Sequence, residues 1–357
     1  MSGWSGLARR MGVAHPLVLA PLGGGPGTPE LAAAVSSAGG LGSLGAAYLQ
    51  PEQVRDAIRQ TRRLTDRPFA VNLFAGGPTD GAADPEPMLR LLARWHQSLG
   101  IAPPPRDPPP LPDFHAQMEV VLDEEVRAFS WTFGIPDAPV LDALRRRGVF
   151  LMGTATTVRE AVALQDAGVD AVVAQGSEAG GHRGTFLGPL EDGMVGTMAL
   201  VPQVVDAVRV PVLASGGIMD GRGIAAARML GAAGVQMGTA FLAADEAGTS
   251  APYRARLASA HEDATALTRA YSGRPARGIR TAFMDQVRDQ AVPIPPFPLQ
   301  NTLTRAMRAA AAERGNADAL SLWAGQGLRM LRTGPAADLT RAFLQEAEAL
   351  WRQGTAD

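Results

Sequence analysis

Residues 171–184 read Ala-Val-Val-Ala-Gln-Gly-Ser-Glu-Ala-Gly-Gly-His-Arg-Gly. The first four are small or β-branched and apolar, as in a parallel strand covered on both faces. The chain then opens into a glycine-rich loop carrying one histidine, His182. Glycine lets a backbone approach a ligand closely because it has no Cβ. Histidine is the side chain whose ordinary pKa suits proton transfer near neutrality. The sequence offers no evident structural use for Gly180, Gly181 and Gly184, so the loop reads as a catalytic one.

Seven more runs resemble the strand at 171–175. They are Leu17–Pro21, Leu41–Gly45, Phe69–Phe74, Ser130–Gly134, Val149–Gly153, Pro211–Ser215 and Gly234–Gly238. Helical patterns fall between most of them, at Pro29–Ala38, Pro51–Leu64, Leu141–Arg147, Val158–Ala167, Met198–Val208 and Gly221–Leu230. Thr28-Pro29 reads as an N-cap followed by proline in the first turn, and Asp220 as another cap. Eight alternating units predict an α/β fold, a (β/α)8 TIM barrel. A doubly wound open sheet is the competitor. It would place its glycine fingerprint after the first strand, whereas glycine-rich turns here follow strands one, two, six, seven and eight.

Two segments interrupt the repeat. Residues 76–128 contain the proline cluster 103–112, read as a stiff surface loop. Residues 243–317 are mostly helical by pattern. The expected organisation is barrel at 1–75 and 129–242, with 76–128 and 243–317 forming a smaller, mainly helical lid or second domain. A helical segment at 318–357 would pack back on the barrel.

Composition narrows the chemistry. The 357 residues are 46% hydrophobic and carry a formal net charge of −2. Near-neutral charge gives no reason to expect nucleic acid or an acidic membrane surface as partner. No apolar run is long enough to span a bilayer. The first ten residues lack an apolar stretch after their arginines and do not read as a signal peptide, so the expected location is the cytoplasm. There is no cysteine, which excludes disulfides and thiolate chemistry, and all 33 basic residues are arginine. Without lysine, Schiff-base and pyridoxal phosphate mechanisms are closed. The five histidines show no ligand spacing, so no metal is expected.

In a barrel the active site sits at the C-terminal ends of the strands. Those ends deliver Asn72, Gln175, Gly180, Gly181, His182, Gly216, Gly217, Gln236, Met237, Gly238 and Thr239. Gly216-Gly217 before a helix, with Gly238-Thr239 on the neighbouring strand, predicts a phosphate cup of backbone amides aided by the helix N-terminus. Glycines that merely permit tight turns are the bland alternative. Asn72 and Gln175 each offer a donor and an acceptor, which suits the edge of a planar heterocycle or an ordinary backbone contact. Arg183, Arg274 and Arg277 are candidates to hold an anionic substrate, or simply solvated arginines. Glu178 either orients His182 or faces water.

These residues together resemble the nitronate monooxygenases, formerly called 2-nitropropane dioxygenases, of class I. The matching stretches include Ala20-Pro21 and its glycines, Thr28–Ser36, Ala38–Gly42, Val71–Phe74, Phe133–Pro136, Gln175–Gly184, Ser215–Ile218, Val235–Thr239, Ser272–Arg277 and Ser321–Gln326. The resemblance implies one non-covalent FMN, contacted by Asn72, Gln175, Gly180, Gly217 and 236–239. It implies His182 as the base, an alkyl nitronate and O2 as substrates, a flavin semiquinone, and release of a carbonyl compound and nitrite. A monomer or homodimer is expected. The first strand reads Leu19-Ala-Pro-Leu22 where the family usually has Gln-Ala-Pro-Met, a departure at the flavin pocket. Three rivals stand: an FMN- and NAD(P)H-dependent enoyl-thioester reductase, a non-oxidative phosphate-binding barrel enzyme, and a non-catalytic flavin or phosphate binder.

Overall fold

A computed structural model describes residues 2–76 and 83–353. Eight parallel strands form one sheet: Leu17–Leu19, Gly42–Gly45, Phe69–Phe74, Ala128–Thr132, Phe150–Ala155, Ala171–Gln175, Val212–Ser215 and Gly234–Met237. Neighbours in sequence are neighbours in the sheet, apart from the closing step. There the first strand pairs with the last (Leu17 with Val235), and bridges to the second through Val18 and Leu41. The Leu19 amide donates to the Leu41 carbonyl at 2.9 Å, which closes the sheet into a barrel. The expected TIM barrel is therefore the fold. Most strand boundaries fall within two residues of those predicted.

The helices start where the sequence marks them. Thr28 accepts from the Leu31 amide at 3.0 Å, and Asp220 from the Arg222 amide at 3.0 Å. Both side chains satisfy first-turn donors that have no intrahelical partner. One continuous apolar core joins the strands to the surrounding helices.

The segments outside the repeat are more mixed than their patterns imply. The proline cluster carries no helix or strand, as a stiff loop would. The segment around it, however, contributes two helices, Glu86–Ser98 and Phe114–Asp123. The first packs Met88, Leu91 and Leu92 into a second apolar cluster with Tyr271, Phe283 and Met307. The second places Met118, Val120 and Val121 in the barrel core. Residues 76–128 are thus shared between the two cores. Part of that stretch, 77–82, lies outside the described residues.

Residues 243–317 hold helices and also an antiparallel hairpin, Thr265–Thr268 with Ala276–Ile279. Helical periodicity could not reveal it, because both strands are only four residues long. The last helix, Ala336–Gln353, buries Leu339 and Phe343 in the barrel core. No helix among the described residues is long and apolar enough to cross a membrane.

The Phe343 ring meets Phe241 edge-on at 5.8 Å between centroids. Phe343→Ala should destabilise the protein by about 3–5 kcal/mol. Urea unfolding of the two proteins checks this.

Candidate active site

The ends of the strands and the second apolar cluster enclose a cavity of about 550 Å³. Strand register brings several polar side chains to one level. Gln175 is level with Ser215, Ser215 with Gln236, and Asn72 with Ser130. Asn72 donates to the Ser130 hydroxyl at 2.8 Å, so its amide is oriented before any ligand arrives.

Of the predicted residues, Asn72, Gln175, Gly180, Gly181, His182, Gly216, Gly217, Gln236, Gly238 and Thr239 line this cavity. Met237 does not. Alternation along the strand turns its side chain into the barrel core, where it is 1% exposed. The altered first strand divides the same way: Leu19 is in the core, while Leu22 lines the cavity.

The loop after the sixth strand is built by its own polar groups. Gln175 donates from Nε2 to the His182 carbonyl at 3.0 Å and accepts at Oε1 from the Gly184 amide at 2.9 Å. Most of this amide therefore shapes the loop, leaving one N–H for a ligand. Arg183 is 2% exposed. Its guanidinium donates to the carbonyls of Gly176 at 2.5 Å, Gln175 at 2.9 Å and Gly193 at 2.8 Å. Arg277 donates to the Ser177 carbonyl at 3.0 Å. Both arginines organise the loop, and neither lines the cavity. Arg274 lies over Phe133, 4.0 Å from the ring centroid, and is likewise not part of the lining.

Glu178 neither orients His182 nor stands idle in water. Both its carboxylate oxygens accept from the Thr197 amide at 2.9 Å, capping the helix Thr197–Ala207. The glycines also have structural uses that the sequence hides. A Cβ on Gly180 would lie 2.5 Å from the Ala324 carbonyl carbon and the Gly325 nitrogen, because segment 324–325 rests directly on the loop. Gly181 and His182 form a short strand paired with Ala276–Arg277 of the hairpin.

His182 sits among Phe74, Phe133 and Trp323, with centroids at 5.9, 5.7 and 5.6 Å. Its Nε2 is 2.8 Å from the Ser272 hydroxyl. Burial, then the charges of Arg274 and Arg308, push the imidazole down to about 3. The ring is neutral at physiological pH.

Around Gly216 and Gly217 (φ 112° and 72°) the chain turns sharply at the cavity wall. The amides of Gly217, Gly238 and Thr239 make no hydrogen bond within the described residues. The helix beginning at Gly221 contributes less than expected, because the Asp220 carboxylate already accepts from the Arg222 and Gly223 amides. An anion here would meet loop amides rather than that helix end.

Arg305, Arg308 and Tyr48 also line the cavity. Arg308 donates to the Asn301 carbonyl and Oδ1 at 2.9 and 3.1 Å, and neither Arg305 nor Arg308 has a carboxylate partner among the described residues. Burial lowers Arg308 and raises the Tyr48 phenol to about 12. None of the three carries a signal in the sequence. Arg305 and Arg308 are three apart on helix Arg305–Glu313 and look like an ordinary solvated face.

The nitronate monooxygenase family model matches residues 7–346. The chain belongs to the nitronate monooxygenase family. It is 42% identical over 349 residues to a probable nitronate monooxygenase of Staphylococcus saprophyticus, covering 95% of this chain and 96% of that one. A Staphylococcus aureus relative with the same description is 41% identical over 332 residues, covering 92% and 93%. Among solved structures, nitroalkane oxidase from Streptomyces ansochromogenes superposes with a TM-score of 0.90 at 41% identity, over 98% and 99% of the chains. FabK from Thermotoga maritima gives 0.75 at 28% identity, over 98% of each chain. As a nitronate monooxygenase family member the protein is an oxidoreductase acting on small molecules, and the family is generally flavin-dependent.

The depressed His182 has a consequence for stability. The unfolded chain takes up a proton near pH 6.5, and the folded one only near 3. This contribution is therefore complete above about pH 6.5 and declines as the pH falls toward 3. By pH 5 it should have removed about 2 kcal/mol. Urea unfolding at pH 7 and pH 5 should show His182→Gln losing less stability than wild type by about that amount.

Proposed function

We propose that the protein is an FMN-dependent nitronate monooxygenase. The observation carrying this reading is a neutral histidine on a cavity lined by backbone amides without hydrogen bonds and by arginines without carboxylate partners among the described residues. The donor set suits FMN. Gly217, Gly238 and Thr239 would supply amides to its phosphate. Asn72, Gln175 and Gln236 would meet the edge of its ring, and Gly180, Gly181 and Gly216 leave room for it. The chemistry supplied by bound FMN is one-electron oxidation of the nitronate, with O2 consumed and a carbonyl compound and nitrite released.

The chain's own groups favour an anionic substrate. A nitronate needs no proton removed, and Arg308 and Arg305 provide charge-assisted donors for it or for a carboxylate tail. A neutral nitroalkane requires a base, and burial together with the charges of Arg274 and Arg308 makes His182 a weak one. An anion bound beside them would offset their charge and make the imidazole more basic. Phe74, Phe133 and Trp323 keep the ring in an apolar setting.

The test is oxygen uptake with propionate 3-nitronate in the absence of NAD(P)H. Rapid uptake with nitrite release is expected, and His182→Ala should lower kcat/KM for nitroethane by about a hundredfold while lowering that for propionate 3-nitronate much less. Likeness to FabK supports the second reading, an enoyl-thioester reductase. That enzyme would show no uptake, but would oxidise NAD(P)H with an enoyl thioester.

Arg308 has its own expectation. Arg308→Met should raise KM for propionate 3-nitronate by about tenfold. It should affect ethylnitronate, which has no carboxylate, much less. Steady-state kinetics on the two substrates distinguish the cases.

A further inference from the structure

We propose that Ser272 is a positioning residue that holds His182 as the Nε2–H tautomer, leaving the Nδ1 lone pair for the cavity. The inference rests on hydrogen-bond accounting around one hydroxyl. Ser272 is 1% exposed and does not itself line the cavity. Its Oγ has three polar neighbours: the Arg274 amide at 3.2 Å, the Arg274 carbonyl at 3.0 Å and His182 Nε2 at 2.8 Å.

A serine hydroxyl has one proton to give and two lone pairs to accept with. The Arg274 amide can only donate, and the Arg274 carbonyl can only accept. If the hydroxyl proton goes to that carbonyl, the third position must be filled by an N–H from the imidazole. All three contacts are then hydrogen bonds. If instead the hydroxyl donates to Nε2, the carbonyl loses its donor, and the proton on Nδ1 has no acceptor, since that atom makes no hydrogen bond to the described residues. Two groups would be left unsatisfied in a largely buried place, which is unfavourable. Nδ1 is also not among the sealed buried atoms without a partner, and His182 lines the cavity. The free nitrogen therefore opens on the space where a substrate would sit.

The turn bearing Ser272 is itself fixed. Gly273 has φ 83°, and a Cβ there would come 2.6 Å from the Phe297 nitrogen. The hydroxyl cannot drift away without moving the packed 295–297 segment.

On the proposed function, the tautomer matters for a neutral nitroalkane. The α C–H bond breaks and its proton forms an N–H bond at Nδ1. The C–H electron pair passes into the nitro group, giving the nitronate. The imidazolium so formed keeps its Nε2–H donated to Ser272. The other tautomer would present an N–H to the cavity and could not accept that proton.

The test uses holoprotein labelled with 15N-histidine and a long-range 1H–15N correlation spectrum, which reads the protonated nitrogen of each of the five histidines. His182 is expected to be protonated at Nε2 in wild type and in Ser272→Thr. It should become a mixture in Ser272→Ala. Protonation at Nδ1 in wild type, or an unchanged pattern in Ser272→Ala, would overturn the proposal. Kinetics give a second readout. In Ser272→Ala the ratio of kcat/KM for nitroethane to that for preformed ethylnitronate should fall by about tenfold, and Ser272→Thr should restore it. Equal losses on both substrates would count against a tautomer role. Should neither substrate be turned over, the functional reading fails, while the spectrum still decides the tautomer.

Discussion

The site depends on one buried cation. Arg183 cannot be left in the protein interior without partners, since an unsatisfied buried charge is strongly destabilising. No carboxylate among the described residues contacts its guanidinium, and the loops on either side turn their carbonyls toward it instead. Gly176, Gln175 and Gly193 are drawn to a common centre in this way. His182 is the next residue along the chain, so its place is set by the same centre. The Gln175 amide then ties the far end of the loop to the strand from which it left. Burial lowers the Arg183 guanidinium to about 10, still far above neutrality, so the charge persists.

A second layer holds the first from outside. The hairpin pairs with Gly181 and His182, and Ser272 reaches His182 from the turn before the hairpin's second strand. Segment 321–326 rests on Gly180, and the Gly325 amide donates to Thr239 Oγ at 2.9 Å. One short stretch thus touches both the histidine loop and the end of the eighth strand. The barrel alone would leave the loop open on that side. The extra elements complete the cavity wall as well as cover it.

Much of this was legible in the sequence, because barrels repeat a local pattern. Apolar strands, caps at Thr28 and Asp220, and glycines at strand ends are written in residues close together in the chain. Groups that act across long separations were not legible. Arg183 reads as an anion ligand or a solvated arginine, because its carbonyl partners carry no sequence signal. Glu178 reads as a partner of His182 or a solvated carboxylate, because Thr197, which it caps, lies nineteen residues on. Gly180 seemed to have no structural use because the residues crowding it are more than a hundred positions away. Arg305 and Arg308 were passed over because a basic pair on a helix is usually solvated. Only the fold shows that helix meeting the strand ends.

Burial, then Arg274 and Arg308, depress the histidine, and Arg308, Arg274 and Arg305 partly counter the effect of burial on Tyr48. A positive cavity of low polarity attracts anions and weakens any base within it, so on the proposed function affinity for a nitronate and basicity toward a nitroalkane oppose each other. They oppose each other less once an anion is bound, because its charge offsets the arginines' share of the depression while the effect of burial stays. In the proposed reading, a preformed nitronate exploits the arginines directly, while a neutral nitroalkane meets a base that is correctly aimed but weak. The arrangement therefore favours substrates that arrive already deprotonated. Tautomer control at Ser272 preserves a slower route for those that do not.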